Sequence, residues 1–394
     1  MKLLLMIPYC SQKTYSAVFI NASIQTNQQF HKYFRLFTAG LIANGLDVVV
    51  GCQFDVNTTS TKQRVISMPD ESINGVRFHY FKTYNISIIG RICKFFQSLV
   101  YTFSFCMQNR GTIVICDPNK VASAFGVMMG TKLARGNLVY ILSDLPSINT
   151  GSLEEKQSLR QKLADLIISK ADGYYFFTKF MNDLLNKQNK PYVIIECLVD
   201  EKLENIRCNL ADKYPTRVMM YTGGIVAHYG LEQLLEAFEL AGVPNTELWI
   251  YGGGPYAKSL TELCAGKDTV KYLGILSNEE IVKEQMKATI LVNPRLTNYE
   301  YTKYSFPSKN MEYMVSGTPT LTTRLEGIPE EYNAHVFFFD SESVEGMAKT
   351  IRDIYSHSDA ELYLFGQETK EWILRNKGYT AQLRKFYERV LTTL

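Results

Sequence analysis

Short, unbroken apolar runs recur along this chain and alternate with segments of helical period. A first series lies at residues 3–7, 47–51, 112–116, 138–142, 173–177 and 192–195. Helical periods fall between them, around 27–44, in the stretch ending at Leu133, and near 154–170. A run of about four to six apolar residues without polar alternation is a strand buried on both faces, and such strands separated by helices pair in parallel. Residues 200–215 are polar and broken, and read as a linker. The alternation then restarts, with strands at 217–221, 247–251, 270–273, 289–292, 318–322 and 336–339. Helices are expected at 231–241, 256–265, 278–286 and 308–316, and from about 340 to the end. The pattern predicts an α/β chain of two consecutive doubly wound, Rossmann-like units. Ligands of such sheets bind outside the carboxyl ends of the strands, which places the expected site in the cleft between the two domains.

Composition bounds the partners. Hydrophobic residues make up 46% and charged residues 21% of 394 residues, which suits two packed cores and excludes a disordered chain. The formal net charge of +3 argues against a nucleic-acid binder, which needs a strongly basic face. That sum hides an asymmetry: residues 1–135 hold 14 Lys/Arg against 5 Asp/Glu, and the remainder 28 against 34. A basic front half suits anionic lipid or phosphate, or reflects only ordinary solvated faces. The eight cysteines form no CxxC and no zinc-like spacing, and read as small buried hydrophobes of a reducing compartment. The apolar start at residues 3–7 lacks a cleavage site and reads as a first strand; no stretch reaches 18 uncharged apolar residues.

Three segments carry chemistry. Tyr221-Thr222-Gly223-Gly224-Ile225 ends a strand and leads into a helix; glycines there admit close approach of a ligand, or simply make a tight turn. Trp249-Ile250-Tyr251-Gly252-Gly253-Gly254-Pro255 repeats the arrangement, with the same two readings. The third is Phe306-Pro307-Ser308-Lys309-Asn310-Met311-Glu312, running on to Gly317-Thr318-Pro319. Pro307 fixes the backbone and Ser308 suits a helix cap. Lys309 falls in a first helical turn, where the dipole favours anions, so an external anion beside it explains the placement. Glu312, one turn further on the same face, suits a ribose diol. A capped surface helix is the plainer reading.

In their order, these segments resemble the nucleotide-sugar domain of retaining glycosyltransferases of family four, in the branch that builds bacterial surface polysaccharides. The likeness spans about 216–335 and includes the helix read as YGLEQLLEAF; in the front half it rests mainly on Ser143-Asp144-Leu145-Pro146. The resemblance implies the GT-B fold, a nucleotide-diphosphate sugar donor, and a glycan or polyprenyl-diphosphate-linked acceptor at the cytoplasmic leaflet. It implies donor contacts at Gly223, Gly224, Gly253, Gly254, Arg295, Phe306, Pro307, Ser308, Lys309 and Glu312, with Asp144 on the acceptor side. The chain departs from the family in three places. Tyr304 stands where a first glutamate is common, and Gly224 and Tyr229 stand where an Arg and a Lys often meet the diphosphate. Neither His31 nor His79 matches the family's sugar-contacting histidine. Glu300 is a substitute for the missing carboxylate, and Lys309 with Arg295 for the missing cations; exposed loop charges are the alternative. Lys309, Glu300 and Asp144 are thus the catalytic candidates. No Asp-x-Asp occurs, so no metal or other cofactor is expected. A sugar-nucleotide epimerase, or a donor-binding subunit without activity, are the rival readings.

Residues 86–106 are apolar and aromatic but contain Arg91 and Lys94, which suits a helix lying in a membrane interface or a buried amphipathic helix. The expected location is cytoplasmic, with peripheral contact at the inner face of the plasma membrane through 86–106. Leu383, Phe386, Tyr387, Val390 and Leu391 recur at helical spacing and read as core. The resemblance implies that this last helix returns to the first domain. The expected domains are therefore 1–200 with 378–394, binding the acceptor, and 201–377, binding the nucleotide sugar.

Overall fold

The structure is a computed structural model that describes residues 1–19, 28–56, 61, 63–145, 159–207 and 209–394. Asn27, Pro146, residues 154–158 and Cys208 lie outside the described residues. The chain divides into two compact units, Met1–Leu198 with Tyr379–Leu394, and Val199–Gly378.

The strands of the first unit are β1 (Lys2–Met6), β2 (Asp47–Cys52), β3 (Val65–Ile66), β4 (Glu71–Ile73), β5 (Val76–Tyr80), β6 (Thr83–Tyr84), β7 (Ile113–Cys116), β8 (Asn137–Leu142), β9 (Gly173–Phe176) and β10 (Tyr192–Ile194). Its helices are α1 (Gln12–Phe19), α2 (Gln28–Ala43), α3 (Ser87–Gln108), α4 (Val121–Leu133), α5 (Leu159–Ser169) and α6 (Lys179–Leu185). Eight strands make one sheet in the order β10-β9-β8-β7-β1-β2-β5-β4, parallel except at β4, and β3 pairs with β6 apart from it. The apolar runs are buried because both faces are covered: every residue of β7 and β9 is buried. The region 65–84 yields β3 to β6, short strands that the apolar-run pattern does not reveal; β5 alternates in burial along VRFHY, as a strand with one half-covered face does.

The second unit has β11 (Arg217–Thr222), α7 (Leu231–Ala241), β12 (Thr246–Tyr251), α8 (Ala257–Cys264), β13 (Val270–Tyr272), α9 (Asn278–Lys287), β14 (Ile290–Asn293), α10 (Ser308–Ser316), β15 (Thr320–Thr322), β16 (Phe337–Phe338), α11 (Val344–Tyr355) and α12 (Asp359–Lys377). Its six strands are all parallel, in the order β13-β12-β11-β14-β15-β16. The stretch read as a linker, 200–215, is not free chain. It forms two 3-10 turns, Glu201–Asn205 and Leu210–Asp212. Lys213 then donates to the Ala288 carbonyl (2.8 Å) and to Thr318 Oγ1 (2.9 Å), fastening its end to the second unit.

The last helix, α13 (Tyr379–Arg389), packs on α2 within the first unit. Gly40 is required there: a Cβ at that position would sit 2.7 Å from the Tyr379 carbonyl oxygen. Phe386 is fully buried between Phe37 and Tyr175, at ring separations of 5.9 and 5.2 Å.

Helix α3 is built inside out. The side it turns to the fold carries Gly90, Ser98, Thr102 and Cys106, and the last three are buried. Gly90 lies against the Tyr84 carbonyl, and Gly126 and Gly130 of α4 against those of Phe95 and Leu99, so small residues bring backbone to backbone. Lys94 belongs to this inner side. Its ammonium donates to the Phe54 carbonyl (3.1 Å), and burial holds its pKa below the usual lysine value. The expectation that Lys94 joins Arg91 as a surface charge is corrected, because 90, 94, 98, 102 and 106 share one helical face. Replacing Phe386 by Ala leaves a cavity under α13 and is expected to destabilise the first unit by about 3–5 kcal/mol in denaturant unfolding.

Candidate functional site

In a doubly wound sheet, the crevice opens where the strand order reverses. In the second unit that point lies between β11 and β14, so the loops after Thr222 and after Asn293 meet there. Gly230 locks them together: its φ is +76°, and a Cβ would sit 2.1 Å from the Pro294 carbonyl oxygen. No L-residue with a side chain fits both requirements.

The glycine loops divide into packing and open positions. Gly252 has φ +139°, and its Cβ would meet the Gly223 carbonyl at 1.7 Å; that of Gly254 would meet the Ile225 carbonyl at 2.2 Å. These two glycines let one loop lie on the other, joined by Gly223 N–H to Tyr251 O (2.9 Å) and Ile225 N–H to Gly253 O (3.0 Å). Gly253 faces the side chain of Ile275. A Cβ on Gly223 would sit 2.6 Å from Cε of Lys309, so that lysine lies across the first loop. Gly224 is different: nothing comes closer to its Cβ position than Tyr229 at 3.6 Å, so packing does not demand a glycine there.

Helix α10 is fastened to the switch point by buried polar groups. The Tyr313 hydroxyl accepts from the Thr222 N–H (3.0 Å) and donates to the Thr222 carbonyl (2.9 Å). Asn310 accepts from Asn293 Nδ2 (2.8 Å) and donates to Thr322 Oγ1 (3.1 Å). The ends of β11, β14 and β15 are thereby tied to one helix. Ser308 does not cap it; Pro307 occupies the cap position and Ser308 is the first helical residue, exposed. The cap residue Pro307 makes no side-chain cap bond, and among the described residues this leaves an N-terminal dipole beside Lys309. Phe306 and Pro307 are buried, Phe306 against Tyr332 at 5.4 Å, so they shape the turn from inside. Glu312 is half-buried one turn after Lys309.

Arg295 leaves β14 into an aromatic box. Its guanidinium lies 5.2 Å from the Tyr229 ring and 4.9 Å from the Tyr301 ring. Its Nε and the Tyr301 hydroxyl are buried and, among the described residues, lack a hydrogen-bond partner. His228 adds ring contacts to Tyr229 (5.0 Å) and Tyr299 (5.2 Å). Glu300 is exposed on the 3-10 turn Glu300–Tyr304, whose neighbours Tyr299 and Tyr301 face the cluster. Sequence reasoning misses Tyr313, Asn310 and His228; a polar i, i+3 pair inside an otherwise buried helix face was the available signal for the first two.

Asp144 belongs to the first unit, where its carbonyl accepts from Asn119 Nδ2 (3.3 Å). Beside it stands a carboxylate the sequence reading overlooks. Asp117 follows β7 at that sheet's own switch point, between β1 and β7. Burial pushes its pKa up to about 6, against a bond from the Asn119 N–H (2.9 Å) and the Lys120 charge; Asp144 and Asp55 push the same way as burial. Lys120 is itself ion-paired to Asp55.

Residues 216–357 match the family model described as glycosyl transferases group 1. No curated protein matches the chain by sequence. Among solved structures, a sucrose-phosphate synthase from Thermosynechococcus elongatus is 16% identical with a TM-score of 0.67, covering all of both chains. Anabaena HepE in complex with UDP is 12% identical at TM-score 0.65, and the lipopolysaccharide outer core galactosyltransferase WaaB 14% at 0.62, again over the whole of both chains. At these identities the likeness is one of fold, the GT-B architecture of two Rossmann-like domains.

Two stability outcomes follow from this geometry. Gly252→Ala is expected to cost more than about 3 kcal/mol in chemical denaturation, whereas Gly224→Ala stays within about 1 kcal/mol of the parent. For Asp117, the folded pKa lies above the unfolded one, so its charge costs stability as pH rises from about 4 through 6. Asp117→Asn should therefore raise the melting temperature at pH 7 and leave it nearly unchanged at pH 4.

Proposed function

We propose that this chain is a glycosyltransferase that moves a sugar, with retention, from a nucleotide-diphosphate sugar to a glycan or lipid-linked acceptor in surface polysaccharide synthesis. The observation that carries the reading is a convergence at one switch point. An uncapped helix N-terminus, the Lys309 stem across Gly223, and an arginine with a buried, unpartnered Nε meet around the loops after β11 and β14. Two cations and free backbone N–H groups are what a diphosphate requires.

In this reading Lys309 and the first turn of α10 hold the phosphates. Arg295 supplies the second cation, carried in from β14 because Tyr229 stands where a cation is expected. Stacking between two rings holds its guanidinium in one orientation at small entropic cost. Glu312, one turn along, accepts hydrogen bonds from the ribose diol. The bond from the sugar's anomeric carbon to the diphosphate breaks, and these groups stabilise the charge developing on the leaving oxygen. The acceptor hydroxyl bonds to the same face of that carbon and its proton passes to the leaving phosphate. Asp144 serves the acceptor, and Glu300 takes the place of the first glutamate. The phosphate charge is met by side chains, without a metal. The group 1 match over 216–357 supports sugar transfer. HepE, solved with UDP and with UDP-glucose, supports a nucleotide-sugar donor, and the lipopolysaccharide outer core galactosyltransferase WaaB supports a surface glycan acceptor.

Calorimetric titration with UDP tests the donor site. Lys309→Ala, Arg295→Gln and Glu312→Ala are each expected to weaken binding about tenfold or more, since a hydrogen bond to a charged group contributes ~1.5–3 kcal/mol. Unchanged affinity in all three would remove the assignment. Incubation with UDP-sugars and acceptors separates the chemistries: retained glycoside supports transfer, epimerised donor supports an epimerase, and binding without turnover supports a donor-binding subunit.

A further inference from the structure

We infer that the outer face of α3 is a docking surface for an anionic lipid bilayer. The helix runs 22 residues and turns its large apolar side chains away from the fold. Ile88, Ile92, Phe96, Val100, Phe103 and Met107 are all exposed, Ile88 at 69% and Phe96 and Val100 at 57%. Their spacing of four, four, four, three and four residues draws one stripe along the whole helix. The opposite face, at 90, 94, 98, 102 and 106, is glycine, lysine, serine, threonine and cysteine, and is the one packed inward. An ordinary surface helix of a globular domain has the reverse arrangement. A continuous exposed apolar stripe marks a surface that is covered by something else.

Charge selects the occupant. Residues 72–116 contain Arg77, Lys82, Arg91, Lys94 and Arg110 and no Asp or Glu. With Lys94 turned inward, Lys82, Arg91 and Arg110 are the exposed cations flanking the two ends of the helix, and none is balanced by a nearby carboxylate in sequence. Apolar stripe and uncompensated cations together fit a helix lying in the plane of an anionic interface. No helix among the described residues is long and apolar enough to cross a membrane, so α3 lies on the bilayer and does not span it. A second copy of the chain would bring like charges face to face.

The inference is independent of the donor chemistry and is tested on the full chain by co-sedimentation with vesicles. The parent protein is expected to partition onto equimolar phosphatidylglycerol–phosphatidylcholine vesicles and much less onto phosphatidylcholine alone. Ile92→Ser, Phe96→Ser and Val100→Ser combined should lower partitioning about tenfold or more. Lys82→Glu with Arg91→Glu should lower it about fivefold for each charge removed, an effect that fades at high salt. Both variants change exposed side chains, and unaltered thermal melting confirms that they fold. Failure of the parent to sediment with anionic vesicles, or equal sedimentation of the triple variant, overturns the inference. A parent dimer that the triple variant dissolves, without vesicle binding, would reassign the face to self-association.

Discussion

The second unit depends on a cluster of buried hydrogen bonds centred on one tyrosine. The Tyr313 hydroxyl, in the middle of α10, bonds both to the N–H and to the carbonyl of Thr222 at the end of β11. A strand end normally leaves such groups to a turn or to water. Here they are met by a helix that arrives from the far side of the switch point, and Gln285 of α9 completes the set by donating to Thr222 Oγ1 (2.8 Å). Burial of these groups makes each bond obligatory, since an unpaired buried polar group costs more than the bond contributes. The position of the α10 N-terminus is therefore held to within the tolerance of a hydrogen bond, and Lys309 with it.

Arginine 295 shows the same logic with a different outcome. Its surroundings are aromatic, and its Nε is buried without a partner among the described residues, so the orientation is fixed but the hydrogen-bonding capacity is not consumed. Groups prepared in this way suit a ligand that arrives with its own charge. The first unit uses carboxylates where the second uses cations. Asp117 and Asp144 stand at strand ends beside a Lys120–Asp55 pair, and burial, with a smaller push from the neighbouring carboxylates, raises Asp117 to about 6. Helix α3 adds a third kind of surface, apolar outside and small inside.

Strands buried on both faces were legible, because an unbroken apolar run has few alternatives in an α/β chain. β1, β2, β7, β8, β11, β12 and β14 all fall where such runs occur. β3 to β6 were not legible, because edge and half-exposed strands carry polar residues and look like loop. The stretch 200–215 reads as a linker for the same reason: its partners lie far along the chain, with Lys213 donating to the Ala288 carbonyl and Lys370 to that of Ile206, and sequence does not display them. In the candidate site, Lys309, Glu312 and the glycine loops could be named from their order. The division of the glycines into Gly252 and Gly254, required by loop-on-loop contact, and Gly224, not so required, appears only once both loops are folded.

What the sequence determined by itself was periodicity and order: two doubly wound series, and a lysine in a first helical turn after Phe306-Pro307. These are local properties, set by which faces of a strand or helix are apolar. Only the tertiary structure decided which residues meet. It drew Arg295 between Tyr229 and Tyr301, placed Asp117 beside Asp144, and turned Lys94 inward while leaving Phe96 outside. The reason is physical. A residue's period says that it has an inner and an outer side, but which side is inner depends on the neighbour that covers it. In α3 that neighbour is α4, whose Gly126 and Gly130 accept only a small face.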